Sequence, residues 1–465
     1  MRACSFNGPQ IPKDAEGAAR GATGTERMDL SDVTTFRAAA CDLNGQMRGK
    51  RMPAAAAAKL DASGVRMPLS ALNVDIWGSD IEGSPLVFET GDQDGILYPT
   101  GRGPMPMPWL ENPSALVPMW MFEQDGTPFA GDPRHALARA LDAYAARGWQ
   151  VVAATEMEFT LVDDAGETLM PPINPQTGRR LQGHAILSIR QLDAFDAFFT
   201  DLYAGCAAMG IDVDSAISEA GLGQFEVTLS HRAAMEAADD AWLFKALARG
   251  LARRHGMAAT FMAKPYAEDA GNGMHVHFSV LDAEGANVFD DGGETGSELL
   301  LQAVAGCLRA MPESTLVLAP HGPSYARLVP GAHAPTGAGW GYDNRTAAVR
   351  IPAGPPRARR IEHRAAGGDI NPYLLLAAVL GAAMSGIEDG LAPPAPIDGN
   401  AYERDLPQMA PDWAAAIDRI DGSALMRRIL GDAIVDNLCM TKRQEMRRLA
   451  EIPPERHWQI YLDNA

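Results

Sequence analysis

Three short stretches alternate apolar and ionisable side chains with a period of two, and this pattern constrains the chain more than any other feature. In ATEMEFTLV, a strand would put Met157 and Phe159 on one face and Glu156 and Glu158 on the other. MHVHFSVL places His275, His277 and Ser279 opposite Val276, Phe278 and Val280, and GQFEVTL places Glu226 and Thr228 opposite Phe225, Val227 and Leu229. A single strand of this kind ordinarily turns its polar face to water. Solvent faces, however, mix threonine, lysine and both signs of charge, whereas these positions are dominated by glutamate and histidine with no lysine among them. Side by side they would repel one another unless cations sat between them. A donor set rich in carboxylate oxygen with one or two imidazoles suits a hard divalent ion such as magnesium or manganese, since zinc wants more nitrogen or sulfur.

A second anomaly has the opposite sign. NRTAAVRIPAGPPRARRIEHR carries Arg345, Arg350, Arg357, Arg359, Arg360 and Arg364 within 20 residues of a chain in which 40 basic residues face 59 acidic ones, a net charge of −19. A solvated basic loop is the plain alternative. An anionic ligand explains so local a reversal better, because the planar guanidinium fork matches phosphate and carboxylate, and with metal it can stabilise a transferring phosphoryl group. Neither GxxxxGK[ST] nor GxGxxG occurs, so a nucleotide would not be held by a P-loop or a Rossmann turn.

The rest of the chain reads as α+β. From about Leu30 to Phe122, short β-rich pieces such as PLVFETG and SALVPMWMF flank the proline-dense GRGPMPMPW. Asp132, Pro133 and Gly148 mark the cap, first position and end of a helix, which sets a domain boundary near residue 125. Beyond it, strand-like WQVVAATEMEFTLV, IDVDSAIS, GQFEVTLS, MAATFMAKP and MHVHFSVL alternate with helical segments near 191–209, 233–255, 295–311 and 371–389. Residues 1–27 read as a flexible tail, with Met28 a candidate start.

Charge and composition exclude several classes. The acidic balance repels nucleic acid and anionic membrane surfaces. The apolar run Pro372 to Ile387 is shorter than a membrane span and contains Gly381 and Gly386, so it reads as a core helix. Five scattered cysteines without a CxxC spacing point to buried thiols in a reducing cytoplasm.

The ordered phrases EMEF, SEAGLGQFE, FMAKP, NGMHVHFS, SYARLVPG, NRTAAVRIP, RRIEHR and NPYL make the chain resemble the type I glutamine synthetase family over roughly residues 30–465. GLGQFEV, NGMHVHF and NVFDDGG resemble most the branch that glutamylates amines other than ammonia, including γ-glutamylpolyamine and γ-glutamylmethylamide synthetases. The resemblance implies a small N-terminal β-grasp domain over 28–125 and a catalytic domain over 126–465 with a curved antiparallel sheet. It also implies a ring-shaped homo-oligomer, commonly a dodecamer of two hexamers. By the same resemblance, Glu158, Glu219 and Glu226 hold one divalent metal, and Glu156, His275 and Glu362 the other. His277 and Ser279 lie by ATP, Arg345, Arg350 and Arg360 by its phosphates, with Arg357 where relatives often carry lysine. Arg327 and Arg364 grip glutamate, Gly271 approaches its backbone, and Asp75 of NVDIWG is the aspartate lent by a neighbouring subunit to the ammonium site. The implied reaction has two steps: the γ-carboxylate of glutamate attacks the ATP γ-phosphorus, and an amine then displaces phosphate from the acyl phosphate.

Two departures bear on substrate. His333 stands where ammonia-using relatives carry the loop glutamate that helps deprotonate ammonium, and an imidazole there can act as base near neutral pH. Ala270 stands where they carry an asparagine touching glutamate, so either Asn272 replaces that contact or the acid differs. The leading expectation is a glutamate–amine ligase using ATP and magnesium or manganese. Ammonia-dependent glutamine synthetase, a non-catalytic assembly protein on the same fold, another acid substrate and a guanidine-kinase-like reaction are the alternatives.

Overall fold

The computed structural model describes residues 29–329 and 334–465, so the expected tail, Met28 and His333 lie outside the described residues. The N-terminal sheet contains β1 (Thr35–Cys41), β2 (Met47–Pro53), β3 (Val65–Pro68), β4 (Asp94–Pro99), β5 (Met105–Pro106) and β6 (Ser114–Phe122). Its order is β2-β1-β6-β4-β3, with β5 also on β6; β1 and β6 run parallel and the other pairs antiparallel. Phe36, Leu60, Leu97, Val117 and Met121 build a core of its own on one face.

The PLVFETG stretch is not a strand. Ser84 and Pro85 start a single helical turn, Pro85–Phe88, because proline's fixed φ suits a first helical position, and Phe88 is left exposed. The helix expected after residue 130 forms as Pro133–Ala145. Asp132 caps it through Arg134 N at 2.8 Å, while its second oxygen accepts from Met121 N at 2.8 Å. One buried carboxylate thus ties this helix to the end of β6.

The second sheet has nine strands: β7 (Gln150–Val162), β8 (Val213–Ser218), β9 (Gln224–Leu229), β10 (Arg232–Ala233), β11 (Ala258–Thr260), β12 (Met274–Leu281), β13 (Trp340–Tyr342), β14 (Val349–Ile351) and β15 (Ile361–His363). The order is β13-β14-β15-β12-β7-β9-β8, with β10 and β11 also on β7. All pairs are antiparallel except β13 with β14. β11 is shorter than MAATFMAKP suggested. The Thr260 hydroxyl accepts from Met262 N, and the Asn272 amide takes Met262 O, which turns the backbone off the ladder.

The apolar faces of β7, β9 and β12 pack on helices Ala234–Arg254 and Pro372–Glu388 in one continuous core. The second of these is buried all round, as its uniformly apolar sequence requires. It crosses helix Glu298–Ala310 at Gly306 and Gly386, where a Cβ on either residue would meet backbone oxygen at 2.1 Å. Among the described residues no helix is long and apolar enough to cross a membrane. Cys41, Cys206, Cys307 and Cys439 are buried, and none is paired with another among the described residues.

Candidate active site

The polar face of the second sheet carries the site, and strand register assembles it. Across β7 and β12, Glu156 pairs with His275; across β7 and β9, Glu158 pairs with Glu226. Across β12 and β15, His277 pairs with Glu362, and across β14 and β15 Arg350 pairs with Glu362. Directly opposed residues in antiparallel strands share a face, so four separate sequence motifs converge. Glu219 joins them from the turn just after β8.

Glu156 sits between the two imidazoles. Its Oε2 lies 2.7 Å from His275 Nδ1 and its Oε1 2.9 Å from His277 Nε2. Arg360 Nε, which can only donate, lies 3.3 Å from His277 Nδ1 and thereby leaves the His277 proton on Nε2, toward Glu156. His275 likewise donates from Nδ1, which frees its Nε2 lone pair toward Glu158 Oε1, 3.9 Å away. A carboxylate that fixes the histidine tautomer and exposes the other nitrogen is a common way to prepare a metal ligand. Burial pushes the Glu156 carboxyl up, but the hydrogen bonds from His275 and His277 outweigh it and hold the group well below the usual range.

Glu226 and Glu219 are under strain of the opposite sign. Glu226, 9% exposed, is pushed up to about 9, first by burial and then by Glu156, Glu158 and Glu219. Glu219 is raised by burial and by Glu158. A divalent cation relieves both effects, and the donor set of buried carboxylates with one free imidazole nitrogen, on His275, fits magnesium or manganese. Two groups bring three ligand atoms within 4.8 Å of one another: Glu156, Glu226 and His275, and Glu156, His277 and Glu362. This differs from the expected partition. Glu156 belongs to both groups, because His275 and His277 flank it from one strand; His277 falls in the second group with its ring nitrogens already engaged by Glu156 and Arg360; Glu158 and Glu219 lie outside these tightest groups.

The cationic half adjoins Glu362, which is 1% exposed. Arg350 Nη1 donates to Glu362 Oε2 at 2.8 Å, and Arg364 bonds the other oxygen. Burial raises the Glu362 carboxyl, and Arg364 with the two histidines brings it below the usual value. Both Arg350 Nε and Arg364 Nε are buried without a hydrogen-bond partner among the described residues. Such orphaned donors beside a metal-type cluster fit anionic substrates. Arg327 is buried, with Nη1 on Ala365 O at 3.0 Å, and a Cβ at Gly271 would lie 3.1 Å from Arg327 Cγ and 2.3 Å from Ala263 O. Only glycine fits there.

The other expected residues make contacts of their own. Ser279 Oγ donates to Arg359 O, and Arg359 itself is tied to the carbonyls of Gly293 and Glu294, a loop-holding role. Arg345 and Arg357 are exposed, without side-chain hydrogen bonds among the described residues. Asp75 is fully buried, and its oxygens accept from Trp77 N, Ser79 N, Gln444 Nε2 and Arg448. Within this chain these contacts tie the segment between β3 and β4 to helix Asp432–Leu449. Asn272 does not replace the amide missing at Ala270. It is fully buried and its side chain is spent on Thr160, Gln224 and Met262. Sequence reasoning passed over Gln224, whose only signal was its place inside GLGQFEV.

Comparison with known proteins agrees with this geometry. A family model described as "Glutamine synthetase, catalytic domain" matches residues 130–461. The chain is 36% identical to the gamma-glutamylputrescine synthetase PuuA of Escherichia coli K12 over 91% of its length and 90% of that protein's. It is 32% identical to the gamma-glutamylethanolamide synthetase GlnA4 of Streptomyces coelicolor, with 89% of each covered. Among solved structures it superposes on a GmaS/ADP complex with a TM-score of 0.81 at 27% identity, over 94% of this chain and 100% of that one.

Proposed function

Because this chain belongs to the glutamine synthetase family, we propose that its site joins the γ-carboxylate of glutamate to a small organic amine, with ATP converted to ADP and phosphate. The observation that carries this reading is a single sheet face on which a metal-type carboxylate and histidine cluster meets buried arginines with unused donors. Enzymes of this family use ATP and divalent metals; the reading here is magnesium or manganese, two ions per site, with Glu156 shared and Glu158 and Glu219 completing the shell. Bound there, the ions would neutralise phosphate oxygens as charge develops.

This chain's own residues do the rest. Arg327 and Arg364 hold the carboxylates of glutamate beside Gly271, so that a γ-carboxylate oxygen is aimed at the γ-phosphorus. Arg350 and Arg360, with Arg345 and Arg357 from the exposed loops, face the phosphates and stabilise the transferring group. ADP leaves, and the amine nitrogen then attacks the acyl carbon and expels phosphate. His333, from its place in the sequence, takes the proton that the nitrogen loses. The absence of the loop glutamate at that position and the amine-ligating relatives support an organic amine over ammonia. A metabolic role in the use of amines as nitrogen or carbon source follows.

The same reading assigns residues 28–125 to an N-terminal domain and 126–465 to the catalytic domain, in a cytoplasmic homo-oligomer, a dodecamer of two hexameric rings. Ile186, Leu187 and Ile189, each more than 60% exposed, supply an apolar segment suited to contact between copies. Hydroxylamine trapping tests the first chemical step. Enzyme, ATP, magnesium and glutamate should yield γ-glutamyl hydroxamate, and its absence would show that no acyl phosphate forms.

A further inference from the structure

We propose that Gln224 is a positioning residue whose one amide fixes both a candidate metal ligand and the loop that contacts glutamate. Gln224 opens β9, two residues before Glu226, and is 3% exposed. Its Oε1 accepts from Gly221 N at 2.8 Å, which sets the amide's orientation and sends Nε2 the other way. There Nε2 lies 3.3 Å from Glu158 Oε2, 2.9 Å from Gly271 O and 3.1 Å from Asn272 Oδ1. Two hydrogens are shared among three acceptors, one of them a carboxylate.

Asn272 makes this arrangement rigid. Its Oδ1 also accepts from Thr160 Oγ1 at 3.1 Å, and its Nδ2 donates to Met262 O at 2.9 Å, so the acceptor facing Gln224 cannot turn. On the metal side, Glu158 Oε2 is pinned by Gln224 and by Gly273 N at 2.7 Å, which leaves Oε1 turned toward His275 Nε2. On the substrate side, the Gly271 peptide is drawn toward Gln224 while its α-carbon stays against Arg327. Gln224 touches neither reactant nor metal. It sets where Glu158 and Gly271 stand relative to each other, and no other side chain of this length both accepts at one end and donates at the other.

The glutamate half of this inference rests on the function proposed above; the metal half does not. The test uses the full chain with Gln224→Met, which removes every contact, and Gln224→Glu, which keeps the Gly221 contact and loses both donors. Manganese alone is titrated into nucleotide-free protein by calorimetry, and Michaelis constants are measured for glutamate and ATP. Gln224→Met should weaken manganese binding by about tenfold or more, as substitutions behind a ligand do. Both variants should raise KM for glutamate by about tenfold and leave KM for ATP within about twofold, with Gln224→Glu melting below the parent in the absence of metal because its carboxylate faces three acceptors. Unchanged manganese affinity in Gln224→Met, or an unchanged KM for glutamate in Gln224→Glu, overturns the proposal. If Gln224→Met does not fold, Gln224→Glu still decides it. Should no amine support turnover in the parent, the proposed function fails while the manganese titration continues to test Gln224.

Discussion

Glu226→Gln should make the metal-free protein more stable and the metal-bound protein less active. Glu226 stands directly across from Glu158 and its carboxyl is pushed up to about 9, by burial first and then by Glu156, Glu158 and Glu219. An acid raised in this way keeps a proton in the fold that the unfolded chain releases. Its contribution to stability therefore falls as pH climbs from the ordinary value of 4.5 toward 9. At pH 7 the difference from the ordinary value is 7 − 4.5 = 2.5 units, which corresponds to a cost of at most ~3 kcal/mol. Glutamine carries no such cost. Melting measured in EDTA at acid, neutral and alkaline pH should show the variant above the parent at neutral pH, with a shallower decline toward alkaline pH. Magnesium should raise the parent's melting temperature more than the variant's, since the variant lacks one ligand oxygen charge, and ADP release should drop. A variant that melts at or below the parent in EDTA, with the magnesium shift intact, would refute the claim that crowded carboxylates await a cation.

Three further outcomes follow from the same geometry. Arg364→Lys loses the planar fork shared between Glu362 and the site, so KM for glutamate should rise by about tenfold to a hundredfold in steady-state assays, the equivalent of one charged hydrogen bond. Asn272→Ser removes the amide that satisfies Met262 O and backs Gln224, and should lower stability by about 1–3 kcal/mol in thermal melts. Lys442 and Glu445, 2.9 Å apart and fully buried, join helix Asp432–Leu449 to Asn44; Lys442→Met should cost about 3–5 kcal/mol, and adding Glu445→Gln should recover part of it.

How much of this was legible in the sequence depends on the range of the interaction that decided each feature. The two-faced strands were legible because alternation is local and the apolar face commits Met157, Phe159, Val276 and Phe278 to the core. The cap at Asp132 was legible for the same reason. Pro85–Phe88 was misread because four apolar residues carry no period long enough to separate strand from helix. The truncation of β11 was hidden, since Asn272 takes the carbonyl that a ladder would have used. In the site, the residue types on each strand were readable and their contacts across strands were not: Glu156 bonds both imidazoles because β12 sets His275 and His277 on either side of it. Asp75 was singled out by motif, while its partners Gln444 and Arg448, hundreds of residues away, were not legible.

The most direct test of the central claim is magnesium-dependent ADP release from ATP and glutamate, comparing ammonia with a panel of mono-, di- and polyamines, with the product identified by mass. The account predicts a large preference for one organic amine and a product that is its γ-glutamyl amide. Turnover that prefers ammonia and yields glutamine would contradict it.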